Sequence, residues 1–167
     1  MSVTPLSRSE GSPCGMATNT PSSHDRRAAL ALLARATEPE LAGPLARHWP
    51  GLAVRDLKKP EIGLAMVRGR MGGDGAAFNL GEATVTRAVV ELAGGQRGHG
   101  QMLGRKPSLA RLAAIADALW QEEAERRLVE RDILGPIRLR LASETAKARA
   151  ETAATRVDFF TLVRGDA

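Results

Sequence analysis

Arg70-Met71-Gly72-Gly73-Asp74-Gly75-Ala76-Ala77-Phe78-Asn79-Leu80-Gly81-Glu82-Ala83-Thr84-Val85-Thr86-Arg87 is the stretch from which the rest of this chain is read. It begins as a basic strand end, passes through Gly72, Gly73 and Gly75, and re-emerges as a strand with period-two patterning. Glycines so closely spaced let the backbone take positive φ and leave amide N–H groups uncovered by side chains. Arg70 and Arg87 bracket the loop, and Arg105 follows a later glycine cluster. Bare amides beside guanidinium groups hold phosphate or carboxylate oxygens by charge-assisted hydrogen bonds. Arg70, Gly72, Gly73, Gly75, Arg87 and Arg105 are therefore the candidate substrate-binding residues. Two plainer readings stand beside this one. The glycines also suit a hairpin turn, and the arginines also suit pairing with acids such as Glu82 across an interface.

Outward from the loop the pattern is that of strands. Residues 52–57 read as a first strand and Lys58-Lys59-Pro60-Glu61 as its turn. Residues 62–71 alternate Ile62, Leu64 and Met66 against Gly63, Ala65 and Val67, and two apolar faces predict a strand in the middle of a sheet. Residues 82–92 place Thr84, Thr86, Ala88, Val90 and Leu92 on one face. Ala93-Gly94-Gly95-Gln96 is a tight turn into a strand ending at Leu103. Gly98, Gly100 and Gly104 along that strand predict the close approach of another backbone or a ligand.

Helical periodicity flanks the strands. Asp25 suits an N-cap before Ala29, Leu30, Leu32, Leu33 and Ala36. Thr37-Glu38-Pro39-Glu40 is a capping box with proline in the first turn, opening a helix that carries Leu41, Leu45 and Trp49, with Pro44 inside it. After the strands, Ser108 suits a cap before Leu109, Leu112, Ala113, Ala116, Leu119 and Trp120. Residues 122–131 are charged, with Asp117, Glu122 and Glu123 read as a solvated face, and Leu134-Gly135-Pro136 reads as a stop. A last helix over 137–155 has few large apolar residues and calls for a neighbour. The chain then runs through Arg156-Val157-Asp158-Phe159-Phe160-Thr161-Leu162-Val163, an apolar end suited to docking on a partner or on the chain's own core. The expected fold is α+β, a four-stranded antiparallel meander packed with N-terminal and C-terminal helices. Residues 1–23, rich in Ser, Pro, Thr and Gly, read as a disordered tail, and 24–167 as a single domain.

A hydrophobic content of 43% suits a globular domain, but aromatic residues are only 3% and tyrosine is missing, so the core depends on Leu, Val and Ala. The net charge of +5 favours anionic partners. Cys14 is the sole cysteine, which excludes an intramolecular disulfide and a cysteine-based metal cluster. With no apolar run of about 18 residues and no secretion pattern, the expected setting is cytoplasmic, away from membranes. The serines and Cys14 have no histidine at a telling spacing, and His24, His48 and His99 match no metal signature. A stand-alone basic nucleic-acid-binding protein is the competing class. Against it, the basic residues are scattered among acids and no aromatics interleave them on the strands.

The string from Arg70 to Ala88, together with Thr155-Arg156-Val157-Asp158-Phe159-Phe160-Thr161-Leu162-Val163-Arg164-Gly165-Asp166, resembles the PhnG subunit family of the bacterial carbon–phosphorus lyase system. The match runs in register from about Arg26 to Asp166 and includes Gly104-Arg105. It departs at Lys106-Pro107-Ser108-Leu109, where an acidic or small residue and a His-Ala start would be expected. The resemblance implies a small subunit of a core complex with the H, I and J subunits, two copies of each, associated functionally with the L protein. That system makes a ribose 1-phosphonate 5-triphosphate from ATP or GTP and an alkylphosphonate, releasing the base. It implies no cofactor on this subunit, since the iron–sulfur cluster and S-adenosylmethionine belong to the J subunit. It also makes Phe159, Phe160, Leu162 and Val163 candidates for partner docking.

Overall fold

A computed structural model describes residues 23–72 and 74–155. Two N-terminal helices, α1 (Ser23–Leu33) and α2 (Glu38–His48), precede three strands, β1 (Val54–Arg70), β2 (Ala77–Leu92) and β3 (Arg97–Leu103). Then come α3 (Pro107–Gln121), α4 (Glu123–Val129), a π-helical turn (Glu130–Leu134) and α5 (Gly135–Ala154). The class is α+β as expected, but among the described residues the antiparallel sheet has three strands in the order β1-β2-β3 rather than four. The Lys58–Glu61 stretch is no turn. It is the irregular middle of one 17-residue strand, with register shifts on both sides of Lys58. Pro60 is tolerated there because β1 is an edge strand whose outward N–H groups have no ladder partner to lose.

α3 is the centre of the molecule. It packs on the face of the sheet that carries Thr86, Ala88, Val90 and Met102, all of them buried. Nearly every residue from Leu109 to Trp120 is buried, because α1, α2 and α4 cover the sides that the sheet leaves. The glycines of β3 permit that approach. A Cβ at Gly98 would overlap the carbonyl oxygen of Ala114, and one at Gly100 that of Ala110. The ligand-or-backbone question raised by these glycines is thus answered by a helix backbone. The β2–β3 turn closes through Gly95 N–H to Leu92 O (2.9 Å), with Gly95 at φ +85°.

α2 runs through Pro44 without a break, with Trp49 at its cap. Three other helix boundaries depart from their sequence signals. α1 opens at Ser23, which places Asp25 in its first turn rather than at its cap. α3 begins at Pro107 with Lys106 at the cap, so Ser108 lies inside the first turn. Leu134-Gly135-Pro136 does not stop the chain. Proline cannot donate to the carbonyl four residues back, and the helix absorbs this by widening: Gly135 N–H reaches Glu130 O, five residues back, and α5 follows directly. Beyond Leu141, α5 is exposed on every side, as a helix in need of a neighbour would be.

Candidate functional site

β1 and β2 are far longer than β3. β3 pairs with β2 only between Val85 and Glu91, whereas β1 and β2 stay paired out to Arg70 and Ala77. Residues 64–70 and 77–84 therefore form a two-stranded ribbon, roughly 24 Å long at about 3.4 Å per residue, with no third strand among the described residues. Register places Leu64 opposite Thr84 and Met66 opposite Glu82 on the side continuous with the α3-facing row. Val67, opposite Gly81, and Phe78, opposite Gly69, occupy the other side, and Leu80 sits at a bulge. All are exposed: Leu64 by 59%, Met66 by 54%, Val67 by 39%, Phe78 by 43% and Leu80 by 67%. The expectation that residues 62–71 form a mid-sheet strand is overturned. The apolar pattern is on both faces, but nothing in the described chain covers either.

The tip loop is closed by its own atoms. Gly75 N–H donates to Met71 O (2.9 Å), and the Arg70 guanidinium donates to Gly75 O through Nη1 (3.2 Å). A Cβ at Gly75 would overlap Met71 O, and Gly72 sits at φ +63°, so both glycines serve the turn. Gly73 lies outside the described residues, as do Phe159, Phe160, Leu162 and Val163, and all of the expected tail except Ser23. Arg87 is exposed at the base of the ribbon, between Glu61 and Gln101 in register. Nine residues of β1 separate its level from Arg70, about 30 Å at strand rise. The structure thus sets Arg70 at the tip and Arg87 at the base, without bringing them together.

Arg105 lies where β3 gives way to α3, and this junction is tightly held. Gly104, at φ +84°, donates its N–H to Thr84 O (2.8 Å). The buried Thr86 hydroxyl donates to Gly104 O (2.6 Å) and accepts from Lys106 N–H (3.0 Å). Lys106 thereby acquires a backbone role at the point where the sequence departs from the resemblance. Arg105 and Lys106 line a recess of about 450 Å³ with Thr37, Glu38 and Ser108, at the start of both α2 and α3. Helix N-termini and two basic residues favour an anion there, and the Glu38 carboxylate opposes it.

Asp117 departs from the solvated face that its sequence neighbourhood predicts. It is fully buried rather than solvated, and its carboxylate accepts from Arg26 of α1 (3.1 and 2.7 Å) and from His99 N–H on the outer edge of β3 (2.8 Å). The hydrogen bond to Asp117 raises the Arg26 guanidinium above its ordinary value. The available signal was its setting, a lone carboxylate in Ala113-Ala114-Ile115-Ala116-Asp117-Ala118-Leu119. A second cross-link joins the helices. Glu40 accepts from Arg140 of α5 (2.7 and 3.0 Å) and from Thr37 N–H (2.8 Å), and these bonds, Arg140's first, lower its carboxyl to about 2. Trp49 and Trp120 give their indole N–H groups to Glu125 (2.9 Å) and Glu130 (2.8 Å).

Among the described residues no group of three or more His, Cys, Asp or Glu is placed to hold a metal ion. No described helix is long and apolar enough to cross a membrane. The acids near the sheet base are spent on structure: Asp56 with Arg111, and Glu91 with Arg55 and Arg97. What this defines is an α+β protein, a small helix-backed sheet from which an apolar β-ribbon protrudes.

Comparison with known proteins gives the class its family. Residues 24–165 match the family described as phosphonate metabolism protein PhnG, and the chain belongs to it. A curated relative from Rhizobium meliloti (strain 1021), alpha-D-ribose 1-methylphosphonate 5-triphosphate synthase subunit PhnG, is 50% identical over 145 residues. The alignment covers 84% of this chain and 90% of the relative.

Proposed function

We propose that this chain is a non-autonomous subunit of an alpha-D-ribose 1-methylphosphonate 5-triphosphate synthase within the carbon–phosphorus lyase system. The observation that carries this reading is the 50% identity to a synthase subunit across nearly its whole length. In the reaction, an oxygen of methylphosphonate bonds to C1′ of ATP (or GTP) as the bond from C1′ to the base nitrogen breaks. The base leaves with a proton, and the triphosphate stays on the ribose. Every reactant is an anion, and the bond changes need a site that positions two polyanions and neutralises their repulsion.

This chain's share in that work is assembly together with cationic surface. Arg87 and Arg105 stand at the base of the ribbon, Arg105 beside two helix N-termini, where phosphate or phosphonate oxygens would be held. Arg70, Gly72 and Gly75 would meet substrate inside another subunit, because the ribbon carries them away from the base. The partners are the H, I and J subunits, with the L protein acting alongside, in a cytoplasmic assembly. The iron–sulfur and S-adenosylmethionine chemistry of carbon–phosphorus cleavage belongs to another subunit.

Adenine release from ATP and methylphosphonate tests the reading. The chain alone should give none, the reconstituted assembly should give it, and the assembly lacking this chain should lose it. Turnover by the isolated chain, or full turnover without it, would contradict the proposal.

A further inference from the structure

The ribbon's two faces decide what kind of surface can complete it. A two-stranded hairpin is marginal in water by itself, and this one exposes large apolar side chains above and below its plane. Leu64 and Met66 lie bare on one face and Val67 and Phe78 on the other, so the exposed apolar surface is divided between the two. A standard interface takes ~800 Å² from each partner, so a ribbon this narrow comes nearest to it when both faces are covered. Among the described residues nothing pairs with the edge of β2 over 77–83, since β3 ends at Leu103 and the chain turns away at Gly104. Main-chain groups on such an edge accept an added strand.

The distribution of these features selects the occupant. Two ribbons related by a two-fold axis would bury one face of each and leave the other wet. A flat partner surface would do the same. Charge is balanced along the ribbon, with Arg68 and Arg70 against Asp74 and Glu82, so attraction to a strongly charged surface does not explain it. We propose that the ribbon of residues 64–70 and 77–84 inserts into an apolar cleft of a larger, different subunit, which closes on both faces and adds a strand to the open β2 edge. This rests on the subunit reading above and specifies the surface through which it operates. It also accounts for the strand pattern of residues 62–71, which is that of a strand buried on both sides.

The test co-expresses the full-length chain with the remaining synthase subunits and measures how much is recovered through a tag on a partner. Leu64→Glu with Met66→Glu charges one face, and Val67→Glu with Phe78→Glu charges the other. Leu139→Glu, at an exposed position on α5, is the control. Each face pair should lower recovery about tenfold or more, with the control unchanged. Serine at the same four positions, which adds no charge, should lower it about threefold or more and decides the matter should a glutamate pair fail to fold. Thermal melts of the isolated variants are expected to match the parent, because these side chains are already exposed. Undiminished recovery of both pairs would overturn the ribbon as the docking element and leave the subunit reading standing. Loss from one face alone would overturn the enclosing cleft. A parent chain recovered as a self-dimer that the same substitutions disperse would overturn the choice of partner. A parent chain that co-purifies with none of the subunits would overturn both this inference and the subunit reading.

Discussion

Asp117 shows how one carboxylate sets three elements. It sits on α3, fixes α1 through Arg26, and satisfies an edge amide of β3 at His99. Removing it strands a guanidinium and a backbone N–H together, and breaking a buried pair from one side costs about 3–5 kcal/mol. Arg26 keeps some contact with solvent, so Asp117→Ala should destabilise by about 3 kcal/mol in urea unfolding with an unchanged m-value. A loss under about 1 kcal/mol would show that the node is dispensable. Glu40 gives a pH signature. Its folded value of about 2 lies below the ordinary 4.5, so its contribution is fully present above pH 4.5 and is lost as pH falls through 2. The difference in stability between the parent and Glu40→Gln should be about 1 kcal/mol at neutral pH, given the partial exposure of the pair, and should shrink below pH 4.5 and vanish only once the pH is below 2. A difference independent of pH would mean that the Arg140 contact is not electrostatic. The Thr37–Glu40 box was legible from its residues because capping is local chemistry. The burial of Asp117 was not, because it depends on Arg26, 91 positions away in sequence.

At the scale of elements, β3 and α3 are joined by the absence of side chains. Gly98→Ala and Gly100→Ala each drive a methyl into a helix carbonyl that the packed core holds in place, and each should cost about 3 kcal/mol or prevent folding. Gly43→Ala, in α2 with nothing within 4 Å of the added carbon, should instead stabilise by about 0.5–1 kcal/mol. Thermal melts of the three variants check the contrast, and similar melts for all would contradict the packing described. β2 was readable in sequence because its α3-facing row, Thr86 to Leu92, is buried by the chain itself. β1 was misread for the opposite reason. Its pattern reports two-sided burial, and no covering layer is found among the described residues. The π turn was equally hidden, since Gly135-Pro136 carries the residues of a helix stop and only the packing of Ile133, Leu134 and Ile137 keeps the helix going.

For the molecule as a whole, the excess of basic residues does not add up to one cationic face. Arg26, Arg55, Arg97, Arg111, Arg138 and Arg140 are all engaged with carboxylates of the same chain. This weakens a broad nucleic-acid surface. It also shifts attention from charge to shape, since a compact base and an apolar ribbon need different surroundings. Hydrogen exchange on the isolated chain and on the reconstituted synthase tests this most directly. In the isolated chain, amides of residues 98–102 and 110–120 should exchange slowly and those of 64–70 and 77–83 quickly, and in the synthase the ribbon amides should slow by about tenfold or more. A ribbon that exchanges as slowly alone as in the synthase, or just as quickly in both, would contradict the claim that another subunit completes this fold.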